Sequence, residues 1–530
     1  MQLLSITLKI FFILHMLVIS TITPGWLNLN VLAEEKQESN QTQATLPIGK
    51  KDLPETRTTK QLAKGVTYTQ IARGYQSKKS YYTVDVAFYK TKSQAKTTAN
   101  TLQKNGYSSD IHKIKNKHSQ FTDVKEKKIG YVVRIGGFSD KKKAEKLEKQ
   151  LKDDGYEEAG VTYSEYDGTT KTTGPWQLDV VEVDPDQFEG KLTNSLAHGK
   201  IKGRETVSSM ADRLKAIAGI NGGYFVFSKQ DGIPGDPAGA YMIDGDLVSE
   251  GVGSRTGLLL SNQQAEIGEV KTTVSVETDK GDLASIDGIN REPGLIRSCG
   301  GLDDQPTTKP KHDVTCKDKA EILLYNQYFG KTTPKGEGYE VMLNKEGKVI
   351  QTYSQRGHSL PESGSVLSAT GKQADWLKER VSVGDKLKIT KKVFLNGKQV
   401  DKESQVNLVG GGPQLLENGQ TEIQADEEGF HWSSDFYYHF AQYRHPRTFA
   451  GIKENGNLLF VTVDGRQPKE SIGLSFFESA EVLKSLGAVQ GMNLDGGGSS
   501  TMVVENQLVN HPSDKTGERP VSDGIFLVEN

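Results

Sequence analysis

Hydrophobic positions open the chain as a single block. Lys9 precedes an apolar run from Ile10 to Ile22, shorter than the ~20 residues that span a bilayer. Val31-Leu32-Ala33 then offers the small residues a signal peptidase needs. Residues 1–33 are therefore expected to be a signal peptide and the protein to be exported, extracellular or bound to the cell wall, with an uncleaved anchor as the alternative. Within residues 34–77, Glu34 to about Lys64 is rich in Lys, Glu, Gln and Thr with few large apolar side chains, and a solvated linker is expected. At residue 78 the pattern becomes periodic. Tyr82–Tyr107 and Tyr131–Tyr156 align without a gap at an offset of 49, matching at Val84/Val133, Lys92/Lys141, Ala95/Ala144, Leu102/Leu151 and Gly106/Gly155. Each copy opens on alternating apolar residues, continues as a Lys-rich amphipathic helix and stops at Gly-Tyr; Ile111 and Val161 mark a short strand after each helix. Two such β-α-β units predict a small ferredoxin-like domain over 78–163, with four antiparallel strands backed by two helices.

A short linker at 164–175 contains the Thr/Gly stretch Thr169–Gly174. From Trp176 onward Leu258–Leu260, Glu321–Tyr325, Val341–Leu343, Leu458–Val463 and Gly524–Val528 read as strands, and Arg204–Ile217 and Ser475–Leu486 as helices. The fold class is thus α+β: the repeat domain, then a large mixed α/β-sheet domain over 176–530.

Charge sharpens this division. The whole chain carries −2 and is 35% hydrophobic, which favours neither a nucleic-acid partner nor a membrane bundle. Yet 78–163 holds 19 Lys and Arg against 11 Asp and Glu, net +8, and everything after Tyr163 sums to −13. A basic module joined to an acidic one implies two different partners. The two cysteines, Cys299 and Cys316, flank a polar loop rich in Gly and Pro. In an exported chain they are expected to form a disulfide, with two free thiols as the alternative. No metal site and no cofactor is required by any motif.

Four local patterns carry candidate chemistry. Asn221-Gly222-Gly223-Tyr224 offers an amide, a ring and close backbone approach, as a sugar site needs. Gly410-Gly411-Gly412-Pro413 ends a strand-like run and could expose N–H groups to an anion, or simply turn the chain. His445-Pro446-Arg447-Thr448 and Asp464-Gly465-Arg466 supply guanidinium groups suited to phosphate, near the aromatic-rich stretch His431–Tyr443, which reads as a ligand wall. Asn493-Leu494-Asp495-Gly496-Gly497-Gly498-Ser499-Ser500-Thr501 places a carboxylate at a strand end beside three glycines and a row of hydroxyls. It lacks the alternating carboxylates of a calcium loop.

The repeat, with GYVVRIGGFSDKKKAEKLEKQL at its second copy, resembles the SPOR (sporulation-related) domain, and that resemblance implies binding to peptidoglycan glycan strands. The patterns N-G-G-Y-F, G-G-G-P, H-P-R-T, D-G-R, L-D-G-G-G-S-S-T and Glu518-Arg519-Pro520-Val521, in this order, resemble the phosphodiester glycosidase family. That resemblance implies hydrolysis of a sugar-1-phosphodiester, or a glycosyl-phosphate polymer, to free sugar and phosphomonoester. Breaking an anomeric C–O bond beside a phosphate calls for a carboxylate at the cation and arginines at the leaving group. Asp495 and Asp464 are the catalytic candidates. Substrate binding is assigned to Asn221, Gly222, Gly223, Tyr224, Gly411, Gly412, His445, Arg447, Arg466, Gly496, Gly497, Ser499, Ser500 and Arg519, with Arg447 and Arg466 on the phosphate. Two rivals stay open: a non-catalytic wall-binding protein, and a phosphodiesterase that cuts P–O.

Overall fold

The computed structural model describes residues 45–168, 171–261, 264–296, 305–307, 316–401 and 406–530; the expected signal peptide lies outside them. An eight-stranded antiparallel sheet forms the spine. Its order is Glu55–Ala63, Val66–Arg73, Trp176–Val183, Leu458–Val463, Arg447–Lys453, Ala488–Asn493, Gln414–Glu417 and Gln420–Thr421. Because neighbours run antiparallel, pairing of Arg447 with Val463 and of Phe449 with Asn493 brings three motifs to one rim. A five-stranded sheet, ordered Gln507–Leu508, Met502–Val504, Ala216–Asn221, Asp523–Val528 and Lys191–Leu196, meets that rim where Asn221 pairs with Gly524. The two sheets share a core of Val181, Phe460, Met492, Leu494, Ile220 and Ile525, which also takes in Leu258 and Val409 from a third sheet. A further lobe over 265–400 has its own core around Ile322, Val341, Leu367 and Leu377.

The helix Phe476–Ser485 covers the other face of the spine. Ser475 begins it with a reciprocal capping box to Glu478, which fixes the start that the sequence suggests. The upstream helix is shorter than expected. It spans Val207–Leu214 and ends at Lys215, whose φ of 56° breaks it, so that Ala216–Asn221 leaves as a strand.

In the repeat region Tyr82–Tyr89, Ser109–Lys115, Lys128–Phe138 and Gly160–Tyr163 form an antiparallel sheet, and the helices Lys92–Lys104 and Lys141–Asp153 pack on it. Ala95 and Leu102 in one copy and Ala144 and Leu151 in the other are fully buried.

Two linker expectations are corrected. Within 34–77, Glu55–Ala63 and Val66–Arg73 form a hairpin whose second strand pairs along its whole length with Trp176–Val183. Leu46, Ile48, Leu53, Val66 and Ile71 are buried, and Arg73 donates to the carbonyls of Ile48 and Lys50 and pairs with Glu55 at 3.0 Å. The outer strand looks solvated because it is a sheet edge, where polar and charged residues protect against further pairing. Residues 164–175 are likewise packed where described. Thr172 and Thr173 are buried, and their carbonyls accept from Lys50 and Tyr75.

Candidate active site

The strand Ala488–Asn493 ends at the shared rim and turns through Asp495-Gly496-Gly497-Gly498 into a short helical turn at Gly497–Ser499. Three arginines crowd this turn, one against each glycine. A Cβ on Gly496 would lie 3.8 Å from Cδ of Arg447, one on Gly497 3.2 Å from Nη2 of Arg466, and one on Gly498 2.2 Å from Nη2 of Arg519. Any side chain at 498 would expel Arg519. Gly498 is therefore required by the Arg519–Asp514 pair, Gly497 lies close against Arg466, and Gly496 is crowded by the carbonyl of Pro446.

Asp495 is half-buried at this turn. Its Oδ1 accepts from the N–H of Gly496 at 2.8 Å, and the Ser499 hydroxyl also bonds the carboxylate. Burial nevertheless pushes its pKa up to about 6, against these bonds and the charges of Arg519 and Arg466. Arg519 is held bidentately by Asp514 (2.8 and 2.9 Å) and reaches Ser499 Oγ at 3.4 Å. Arg466 has no carboxylate partner among the described residues; its Nη2 lies 3.3 Å from Nδ1 of His445. A backbone φ of 61° at Arg466 is a strained value of the kind that functional sites retain. His445 donates through Nε2 to the carbonyl of His439 at 2.6 Å, and burial together with Arg447 and Arg466 holds its pKa well below the usual value. It is therefore neutral, with Nδ1 free to accept from Arg466.

A second carboxylate, missed in the sequence, lies beneath. Asp523 is 1% exposed and accepts from the N–H of Gly223 at 3.2 Å. Burial pushes its pKa up to about 7, and the charge of Asp495 adds to the rise. A Cβ on Gly222 would lie 1.8 Å from its Oδ1, so this glycine is fixed by Asp523. Asp523 opens the last apolar strand, the same strand-rim position that singled out Asp464.

Several expected ligand contacts prove to be supports. Asn221 is fully buried; its amide donates to the carbonyl of Asp495 at 2.8 Å and accepts from Thr448 and Thr501. It locks three chain segments together. Asp464, expected as a catalytic carboxylate, is 2% exposed and grips Asn510 Nδ2 and the N–H of His511; Asn510 in turn holds the carbonyl of Ser500. Arg447 is 2% exposed, donates to the carbonyls of Leu474, Phe440 and Tyr443, and stacks on Phe476 at 4.2 Å, so it underlies the turn instead of gripping a phosphate. The N–H groups of Gly411 and Gly412 are spent on the carbonyls of Thr256 and Asn493, and those of Gly222 and Gly223 on Asp523. No anion nest exists at either pair. Tyr224 is packed between Phe430 and Phe440 with its hydroxyl on the Gly412 carbonyl. Ser500 and Ser499 are buried, and Ser500 Oγ has no hydrogen-bond partner among the described residues. The structure thus gathers Asp495, Gly496, Gly497, Ser499, His445, Arg466 and Arg519 at one turn. Away from it, Cys316 is buried and disulfide-bonded, while Cys299 lies outside the described residues. Among the described residues no three His, Cys, Asp or Glu are grouped to hold a metal.

Residues 327–528 match the family model described as phosphodiester glycosidase, and residues 78–162 match that of the SPOR domain. A solved structure from Burkholderia pseudomallei is 31% identical, with a TM-score of 0.82 over 91% of this chain and 98% of that one. A Synechocystis structure, 18% identical with a TM-score of 0.53 over 90% of this chain and 76% of that one, shares the fold. The mouse N-acetylglucosamine-1-phosphodiester alpha-N-acetylglucosaminidase is 35% identical over 112 residues, a segment that spans 21% of this chain and 21% of the relative. With both motif sets matched and the glycine turn assembled at one rim, the chain belongs to the phosphodiester glycosidase family and carries a SPOR domain.

Proposed function

We propose that the protein hydrolyses a sugar-1-phosphodiester at the anomeric carbon, releasing free sugar and a phosphomonoester. The observation that carries this reading is the half-buried carboxylate Asp495 at the glycine turn, beside Arg519, which Asp514 already pairs, and Arg466, which has no anionic partner among the described residues. Water attacks C1 as the C1–O bond to the phosphate breaks, and that electron pair stays on the phosphate oxygen. The Asp495 carboxylate stabilises the positive charge developing at C1 and takes the proton of the attacking water. Arg466 and Arg519 neutralise the departing phosphate, in a setting already fixed before substrate arrives. A phosphate needs little protonation to leave, which suits a site whose candidate catalytic carboxylate lies beside arginines.

We also propose that the protein is exported and held at the cell wall, on the apolar run Ile10–Ile22 and on glycan binding by the SPOR domain. The test of the activity is a panel of sugar-1-phosphodiesters incubated with the purified protein in ¹⁸O-labelled water. Label in the released sugar is expected. Label in the phosphate would instead mean P–O cleavage, and no turnover of any substrate would leave a binding protein.

A further inference from the structure

The repeat domain shares a core with the large domain. Val132 and Tyr163, with Phe88 and Ile114 against them, join the same hydrophobic cluster as Phe430, Tyr437, Tyr438, Phe449 and Phe476. Val84, Val86, Val133 and Ile135 instead pack with the two helices, so it is the opposite face of the sheet that is docked. The connector between the repeats adds polar contacts: the Asp123 carboxylate accepts from the N–H groups of Asp426 and Glu427, and His118 stacks on Phe477 at 4.3 Å.

What this face holds is the turn at 438–443. The Phe88 ring lies 6.0 Å from that of Tyr438. The Asp85–Arg134 ion pair (2.8 Å) takes the hydroxyl of Tyr443, which donates to Asp85 at 3.3 Å. The turn in turn presents carbonyls to the active site. That of His439 accepts from His445 Nε2, and those of Phe440 and Tyr443 accept from Arg447 Nη2. A carbonyl only accepts, so His439 dictates which nitrogen of His445 bears the proton. The other nitrogen is thereby left as the acceptor for Arg466.

We propose that the docked sheet face of the SPOR domain is a positioning surface of the active site: by fixing the 438–443 turn it sets the tautomer of His445 and aims Arg466 at the phosphate. Phe88, Asp85 and Arg134 are positioning residues that touch no substrate. The inference rests on the reading of Arg466 as a phosphate ligand.

Three measurements on the full chain test it, using Phe88→Ala, Tyr443→Phe and the conservative Phe88→Leu. The first is hydrogen exchange in the peptide 436–447. The second is calorimetric binding of inorganic phosphate. The third is kcat/KM for a sugar-1-phosphodiester beside that for the matching aryl glycoside without phosphate. Phe88→Ala and Tyr443→Phe are expected to raise exchange, weaken phosphate and lower kcat/KM for the phosphodiester by up to about 10²-fold, the cost of displacing a site group by ~1 Å. The aryl glycoside should lose far less, and Phe88→Leu should restore most of the loss. A general loss of folded protein would depress both substrates equally. Raised exchange with unchanged phosphate binding overturns the proposal, as does unchanged exchange in both Phe88→Ala and Tyr443→Phe. If the wild type turns over no phosphodiester, the proposed activity fails, and exchange with phosphate binding still decides this inference.

Discussion

A carboxylate that must be ionised to steady a cation works only above its own pKa, so the acid limb of activity should follow Asp495 at about 6. Beneath it Asp523 titrates at about 7, raised by burial and then by the charge of Asp495. Asp523 is thus still protonated where Asp495 ionises, and Asp523→Asn, which keeps an acceptor for Gly223, should leave the acid limb in place. A pH–kcat/KM profile whose acid limb moves to lower pH would mean that Asp523 is already charged when Asp495 ionises. Stability supplies a second check. A carboxyl whose folded pKa lies above its unfolded value of about 4 destabilises the fold progressively as pH rises from ~4 to ~7. Asp523→Asn should therefore melt higher than wild type at pH 8, with the gap closing at acid pH. Asp495→Asn should likewise melt no lower than wild type at pH 8, yet lose about 10²–10³-fold in kcat, the cost of one strong transition-state contact. A variant that no longer folds would make Asp495 structural. At this scale the motifs of the sequence supplied Asp495, Arg466 and Arg519, which the structure brings to one turn. The sequence could not separate ligands from supports. Asn221, Asp464 and Arg447 have the same kinds of side chain as the groups that stay accessible at the turn, and only their buried partners, supplied by segments far away in sequence, show that they hold the turn from behind.

Among the elements, those built on local periodicity are legible in the sequence alone. The repeat helices start at Thr91 and Asp140, whose side chains cap them, and bury the small and large apolar residues that recur between the copies. The hairpin at 55–73 is not legible, since its outer strand is polar and its inner strand falls within the expected linker until Trp176–Val183 is placed beside it. Its pairing is nonetheless part of the spine. Ile71 is fully buried in the same cluster as Trp176 and Leu178. Ile71→Ala should cost about 2–5 kcal/mol, the range for removing a large aliphatic side chain from a packed core. Chemical denaturation of the full chain measures this. A solvated spacer would give a change within about 0.5 kcal/mol, as surface substitutions usually do.

For the molecule as a whole, the docking of the repeat sheet decides which basic surface remains available. Lys92, Lys96 and Lys104 on the first helix and Lys141, Lys142, Lys143, Lys146, Lys149 and Lys152 on the second are all exposed. They lie on the helical side of the domain, while the opposite face of the sheet is covered by the large domain. Any wall polymer that the full chain meets therefore meets lysines first, each a hydrated point charge on a flexible stem. Such contacts are long-ranged and screened: raising salt from about 0.01 M to about 1 M shortens the Debye length from about 30 Å to about 3 Å. Sedimentation of the full chain with purified sacculi should accordingly fall steeply across that range. Replacing Lys141, Lys142 and Lys143 with Glu should produce most of the same loss at low salt, while soluble phosphodiester turnover stays at the wild-type rate because the helices face away from the glycine turn. Binding that survives high salt and the triple replacement would point to a shaped glycan groove, and the +8 charge of this domain would then be incidental to its attachment.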